Sequence, residues 1–161
     1  MSDEPLHDSL RRFAEGQRAK GHSYPRHFQD IPEIPVSTFS DMREAVRNRT
    51  LLLQRFSVDF NAAIFQLVST PHEVRLQNLF MALSFLIPVA SLVLAIVVSW
   101  WFLIGVLGFF IAMGRSRQVY NSAILRSAFS SEEAFIFLYY TRQICLTASD
   151  FNASYYWKQD T

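Results

Sequence analysis

The chain has 161 residues, half of them hydrophobic, with 15 basic and 14 acidic side chains and a formal net charge of +1. None of these charges lies between Arg75 and Arg115, although about one residue in four is charged in an average soluble domain. The gap excludes an ordinary soluble domain. Cys145 is the only cysteine, which excludes an intrachain disulfide and a cysteine-rich metal site.

Residues 1–37 are predicted to form a short amphipathic helix followed by an extended strap. The helix would place four apolar residues on one face and end at Gly21; these residues are Leu6, Leu10, Phe13 and Ala14. Prolines at positions 25, 32 and 35 then favour extended backbone, because proline does not fit a helix interior. The first ten residues contain early acids and no apolar run, so we do not expect a secretory signal peptide.

Residues 38–69 are predicted to form one amphipathic helix of about seven turns. Its apolar residues recur at intervals of three, four and seven positions between Val46 and Leu67. Thr38, followed three residues later by Asp41, resembles a helix start.

Residues 70–128 are predicted to form a transmembrane helical hairpin with both ends in water. Thr70, Pro71 and Glu73 have the residue types that a helix start favours. One straight helix over the uncharged stretch would be about 58 Å long, roughly twice the thickness of the hydrocarbon core. Two antiparallel spans fit this length, and the alternatives are one tilted span with an interfacial continuation or a re-entrant wedge in one leaflet.

The turn of the hairpin is predicted near residue 98. Trp100 and Trp101 would lie at the membrane boundary, where indole rings are favoured. Small or helix-perturbing residues also form pairs that are symmetric about position 98, as antiparallel neighbours require. The predicted packing pairs are Ser91 with Gly105, Pro88 with Gly108, and Ser84 with Ala112.

Arginines flank the uncharged stretch on both sides and predict its orientation. Arg75 precedes it, and Arg115 and Arg117 follow it. By the positive-inside rule both termini would face the cytoplasm or the mitochondrial matrix, in a bacterial or mitochondrial inner membrane. The same three guanidinium groups are candidates for contact with anionic lipid headgroups.

Residues 129–161 are predicted to contain an aromatic-rich helix ending near residue 148, followed by a tail. Ser131 and Glu132 provide its start signal. The aromatic content is too high for a free tail, so we expect a partner protein, insertion into the headgroup layer, or packing of this segment against residues 41–69.

The sequence predicts no catalytic, cofactor or metal site. His22, His27 and Asp30 do not have the spacing of a metal-binding face or finger. No nucleophile with an activating base and no glycine-rich phosphate loop is present in the sequence. Acidic and basic residues are equal in number over residues 1–75, which argues against a nucleic-acid partner.

The predicted fold is therefore all-α: an integral-membrane two-helix hairpin with flanking amphipathic helices and an extended N-terminal strap. The function that this composition favours is a non-catalytic accessory or assembly subunit of a larger membrane complex, for example of respiratory-chain or ATP-synthase type. The expected partners are other membrane subunits and membrane lipids, with self-association as a further outcome. Alternatives are a self-assembling membrane-shaping hairpin and a small channel or transporter component. The uncharged stretch has no ionisable group for an ion path, which disfavours the channel.

Overall fold

The computed structural model describes residues 4–31, 34–56, 60–99, 105 and 107–158. In these ranges the chain is mostly helical and includes a small antiparallel sheet. The helices are α1 (Glu4–Ala19), α2 (Phe39–Arg47), α3 (Ala62–Val68), α4 (Pro71–Val97), α5 (Leu107–Ser130) and α6 (Glu132–Tyr140), and the strands are β1 (Leu51–Arg55), β2 (Ile144–Ala148) and β3 (Ser154–Tyr155).

The chain folds into two compact units. One, here called the terminal unit, combines residues 1–68 with residues 124–161, and the other, the central unit, comprises residues 69–123. The sheet and helices α1, α2, α3 and α6 belong to the terminal unit, and α4 belongs to the central unit. Helix α5 contributes its first part to the central unit and its last part, from Ile124, to the terminal unit.

Helix α6 is the centre of the terminal unit's core. Its six consecutive residues from Ala134 to Tyr139 are all buried, because aromatic rings from other segments cover it. Phe13 of α1 packs edge-on against Phe137 with ring centroids 4.9 Å apart, and Phe28 lies 5.4 Å from Phe135. The aromatic rings of this helix thus pack inside the terminal unit, where α1 and the strap help to cover them.

The sheet shows that the all-α prediction was wrong. Strand β2 lies in the middle and pairs antiparallel with β1, from Leu51 opposite Ala148 to Arg55 opposite Ile144, and with β3. The predicted final helix therefore ends at Tyr140 instead of continuing to residue 148. Local periodicity describes each segment by itself, so it gives no signal that two segments distant in the sequence pair as strands.

The single helix predicted over residues 38–69 was also wrong. Thr38 caps α2 as expected, by accepting a hydrogen bond from the Asp41 amide at 3.1 Å, but α2 ends at Arg47. Arg49 then adopts a left-handed conformation with φ 58°, and β1 begins at Leu51. The seven-residue interval between Val46 and Leu53 is also the spacing expected on one face of a helix, so the sequence pattern did not reveal the break.

The N-terminal helix forms as predicted, whereas the strap departs from fully extended backbone in a short 3-10 helix at Phe28–Asp30. Gly21, with φ 77°, ends α1, and the amides of Gly21 and His22 bond to the carbonyls of Arg18 and Gln17 at 2.9 and 3.1 Å. This pattern is a Schellman motif, which requires a left-handed residue that glycine adopts without strain. The strap then runs along α6, where the Phe28 amide donates to the Glu132 carboxylate at 2.8 Å.

Among the described residues, one helix is long and apolar enough to cross a membrane, namely α4. The predicted two-helix membrane hairpin is therefore not supported. The reason lies in α5, whose described part begins at Leu107 and reaches the charged residue Arg115 after about two turns. The sequence of most of α5 is therefore polar, so length alone does not make α5 a membrane span.

Candidate membrane anchor

Helix α4 buries three polar side chains and exposes most of its large apolar ones, while His72, Arg75 and Asn78 near its start are exposed. Gln77, Ser84 and Ser91 are buried, with exposed fractions of 3%, 1% and 8%. Their seven-residue spacing places all three on one face of the helix. A helix of a water-soluble protein has the opposite distribution, with its apolar stripe turned inward.

This polar face of α4 packs within the central unit against α5 and against Gly105, which lies two residues before α5. The Gln77 side-chain amide donates to the Ser116 hydroxyl at 2.6 Å, and both residues are buried. Near the other end of α4, a Cβ atom placed on Gly105 would overlap the Ser91 hydroxyl and lie 2.9 Å from Ser91 Cβ. In lipid no hydrophobic force drives helices together, so their contacts favour small residues that let the backbones approach closely.

The structure places the predicted packing residues as follows. Ser91 contacts Gly105, whereas the nearest side chain to Gly108 is Ile87, next to the predicted Pro88. Ser84 is buried and donates to the carbonyl of Met81 at 2.7 Å. Ala112 is also buried. Pro88 lies inside α4 without ending it, as occurs in membrane helices whose neighbours compensate for the missing amide bond.

The outward face of the central unit is apolar along much of its described length. Eleven large side chains are each at least 39% exposed, in the second half of α4 and in the first turns of α5. They are Phe85, Leu86, Val89, Leu92, Val93, Leu94, Ile96, Val97, Leu107, Phe110 and Ile111. A soluble protein rarely exposes a continuous apolar surface of this extent, because water makes it unfavourable.

The arginines lie at one end of this helix pair. The bond between Gln77 and Ser116 brings the start of α4 near the middle of α5, and Arg75, Arg115 and Arg117 are each within two residues of it and exposed. The predicted membrane-boundary residues Trp100 and Trp101 lie outside the described residues. The central unit therefore has a cationic end and an apolar body.

Thr70 and Glu73 begin α4 as the sequence predicts. The Thr70 hydroxyl accepts a bond from the Glu73 amide at 3.3 Å, and the Glu73 carboxylate accepts one from the Thr70 amide at 2.8 Å. This reciprocal capping box satisfies amides that have no partner inside the helix. It fixes the start of α4 at Pro71, ahead of the uncharged stretch.

The histidines and acids considered for a metal do not form a cluster within the described ranges. Asp30 instead accepts bonds from the backbone amides of Arg26 and His27 at 2.8 and 2.9 Å, which lower the pKa of its carboxyl group. Cys145 is buried in β2, and this burial raises the pKa of its thiol. Its thiolate is therefore disfavoured, so it lacks the property of a reactive cysteine.

Gln77 is the residue of this site that the sequence did not single out as a packing residue. The available signal was its spacing of seven from Ser84, which itself lies seven before Ser91. Polar residues repeated at seven positions in an otherwise apolar helix indicate the face that turns away from lipid.

No known protein family, curated protein or solved structure matches this chain.

Proposed function

We propose that this chain is a non-catalytic membrane protein, anchored by helix α4, whose terminal unit docks onto other subunits of a membrane complex. The observation that carries the anchoring is the inverted distribution in α4, with buried Gln77, Ser84 and Ser91 and exposed apolar side chains. Hydrocarbon solvates that apolar surface, whereas the small polar residues bond within the helix pair.

The position of the arginines supports an orientation for the anchor. Arg75, Arg115 and Arg117 would lie in the headgroup layer, where each basic residue gains about 1 kcal/mol from anionic lipid. Under the positive-inside rule this end faces the cytoplasm or matrix. The inner membrane of a bacterium or mitochondrion is the location that we propose on this basis.

Phe151 supports a docking role for the terminal unit. It lies in the turn between β2 and β3 and is 69% exposed. Its backbone is left-handed, with φ 57°, which is unfavourable for a bulky residue. An exposed aromatic ring on a strained backbone contributes no packing that is apparent within the terminal unit. Burial of the ring against a partner would give this residue a role.

A channel is less well supported than a docking subunit. An ion path needs polar groups that face a continuous aqueous space. In α4 the polar side chains at 77, 84 and 91 are buried instead, and Gln77 bonds to Ser116 of the neighbouring helix.

The test is purification from native membranes in a mild detergent, followed by native mass measurement. The wild-type chain is expected to travel in a near-stoichiometric complex with other chains. In the variant Phe151→Asn, asparagine tolerates the left-handed backbone, so the terminal unit should fold at least as well while the complex dissociates. A wild-type protein that runs alone as a monomer would refute the subunit proposal.

A further inference from the structure

A cavity of about 320 Å³ lies inside the terminal unit, between α1, the strap and α6. Leu10, Ala14 and Ile136 line it with exposed fractions of 2%, 9% and 3%, so buried apolar residues form one side of the cavity. Its volume corresponds to about ten water molecules. That space fits a small organic molecule of roughly ten non-hydrogen atoms.

The other side of the cavity is cationic. Arg11 and Arg18 of α1 and Arg26 of the strap line it, together with the carboxylate of Glu133. His7 bonds to that carboxylate at 2.5 Å, so part of its acceptor capacity is already used. Arg11 also donates to the carboxylate of Glu15 at 3.1 Å, so Arg18 and Arg26 are the better candidates for an anion. Three guanidinium groups beside an apolar wall have the chemistry to bind a molecule with an anionic head and an apolar body.

Arg18 is held in place and retains a free donor. One terminal nitrogen of its guanidinium donates to the Pro25 carbonyl at 3.2 Å, and the guanidinium carbon lies 5.6 Å from the centre of the Tyr24 ring. Its Nε is enclosed and has no hydrogen-bond acceptor in the described part of the chain. Because that Nε is enclosed by protein, an oxyanion in the cavity would bond to the terminal nitrogens of the guanidinium, which carry four of its five N–H groups.

Tyr24 is compatible with an anion beside it. Burial raises the pKa of its hydroxyl to about 12, so this group stays neutral at physiological pH. A neutral hydroxyl does not repel a negative charge, and it can donate a hydrogen bond.

We propose that this cavity binds a small amphipathic anion, in which a carboxylate or phosphate contacts Arg18 and a short apolar chain lies against Leu10, Ala14 and Ile136. Two sources have this chemistry: a water-soluble organic acid and the headgroup region of an anionic lipid. Both would place the oxyanion at the guanidinium groups.

The experiment measures binding of octanoate to the full chain in nanodiscs made only of zwitterionic phospholipid. The wild type is expected to bind octanoate with a Kd at least about tenfold lower than that for 1-octanol, since the charged hydrogen bond distinguishes them. Arg18→Gln should weaken octanoate binding by at least about tenfold. Arg12→Gln removes the same charge from an exposed position of α1 outside the cavity and should leave the Kd unchanged.

A second variant tests the proposal even if the Arg18→Gln variant fails to fold. Ala14→Leu fills the apolar side without changing any charge, and it should likewise weaken octanoate binding by at least about tenfold. The proposal fails if octanoate does not bind, or if the filled cavity binds it as tightly as the wild type. Nanodiscs that include phosphatidylglycerol separate the sources: weaker octanoate binding there indicates lipid in the cavity, and unchanged binding indicates a soluble acid.

Discussion

At the scale of single residues, Gly21 shows how one backbone conformation ends a helix and starts the strap. Its left-handed φ allows two amides to bond to the last carbonyls of α1. A Cβ there would meet no atom within 4 Å, so any cost of a side chain comes from the backbone conformation alone. Gly16, in the interior of α1, also has open space around it but no positive φ.

Replacing these two glycines by alanine should have opposite effects. Gly21→Ala is expected to destabilise the end of α1 by about 1 kcal/mol, because L-residues are strained in the left-handed region. Gly16→Ala should stabilise the same helix by about 0.5–1 kcal/mol, because alanine has the higher helix propensity. Amide hydrogen exchange of α1 measures both, and faster exchange in both variants would contradict the assignment.

At the scale of elements, the close approach of the chain before α5 to α4 depends on the absence of a side chain at Gly105. An added Cβ would overlap the side chain of Ser91, whereas one at Gly114 would meet no atom within 4 Å. The two glycines therefore separate the effect of close packing from the effect of helix propensity. Gly114 lies in the interior of α5.

Gly105→Ala is expected to destabilise the central unit by about 1–3 kcal/mol, the usual cost of overpacking. Gly114→Ala should leave it as stable as before or slightly more stable. The double variant Ser91→Gly with Gly105→Ala restores the space and should recover much of the loss. Thermal unfolding in detergent, followed by circular dichroism, measures all three. A lack of recovery in the double variant would show that Ser91 is not the neighbour that matters.

At the scale of the whole molecule, exposure to lipid and exposure to water can be told apart by thiol chemistry. Leu86, near the middle of α4, and Leu79, nearer its arginine end, are 64% and 53% exposed. Gln66 of α3 is also exposed and provides a control in the terminal unit. The protein's own Cys145 is buried and would be replaced by alanine to give a clean background.

A water-soluble maleimide should react with a cysteine at position 86 at least about tenfold more slowly than with one at position 66, because the thiolate is not formed in hydrocarbon. The cysteine at position 79 should react at an intermediate rate. The measurement uses intact membranes and the variants Leu86→Cys, Leu79→Cys and Gln66→Cys. Equal rates at 86 and 66 would mean that α4 faces water, and the anchor proposal would be lost.

Local signals in the sequence were sufficient for the helix starts. Thr70 with Glu73, and Ser131 before Glu132, stand at the starts of α4 and α6 where the sequence predicted, because a helix start depends on residues within one turn. The apolar character of α4 was equally visible, since it depends only on composition. The packing partners of α4 were partly visible as small residues, whereas Gln77 was not recognised.

The sequence by itself determined that residues 76–114 carry no charge and that an apolar helix begins at Pro71, because both follow from residue type and near neighbours. Only the tertiary structure decided that residues 51–55 and 144–148 form a sheet and that the aromatic helix α6 is enclosed by α1 and the strap. The physical reason is distance along the chain. A strand forms its hydrogen bonds with distant segments, and a core helix is buried by distant segments. Local periodicity does not identify these segments.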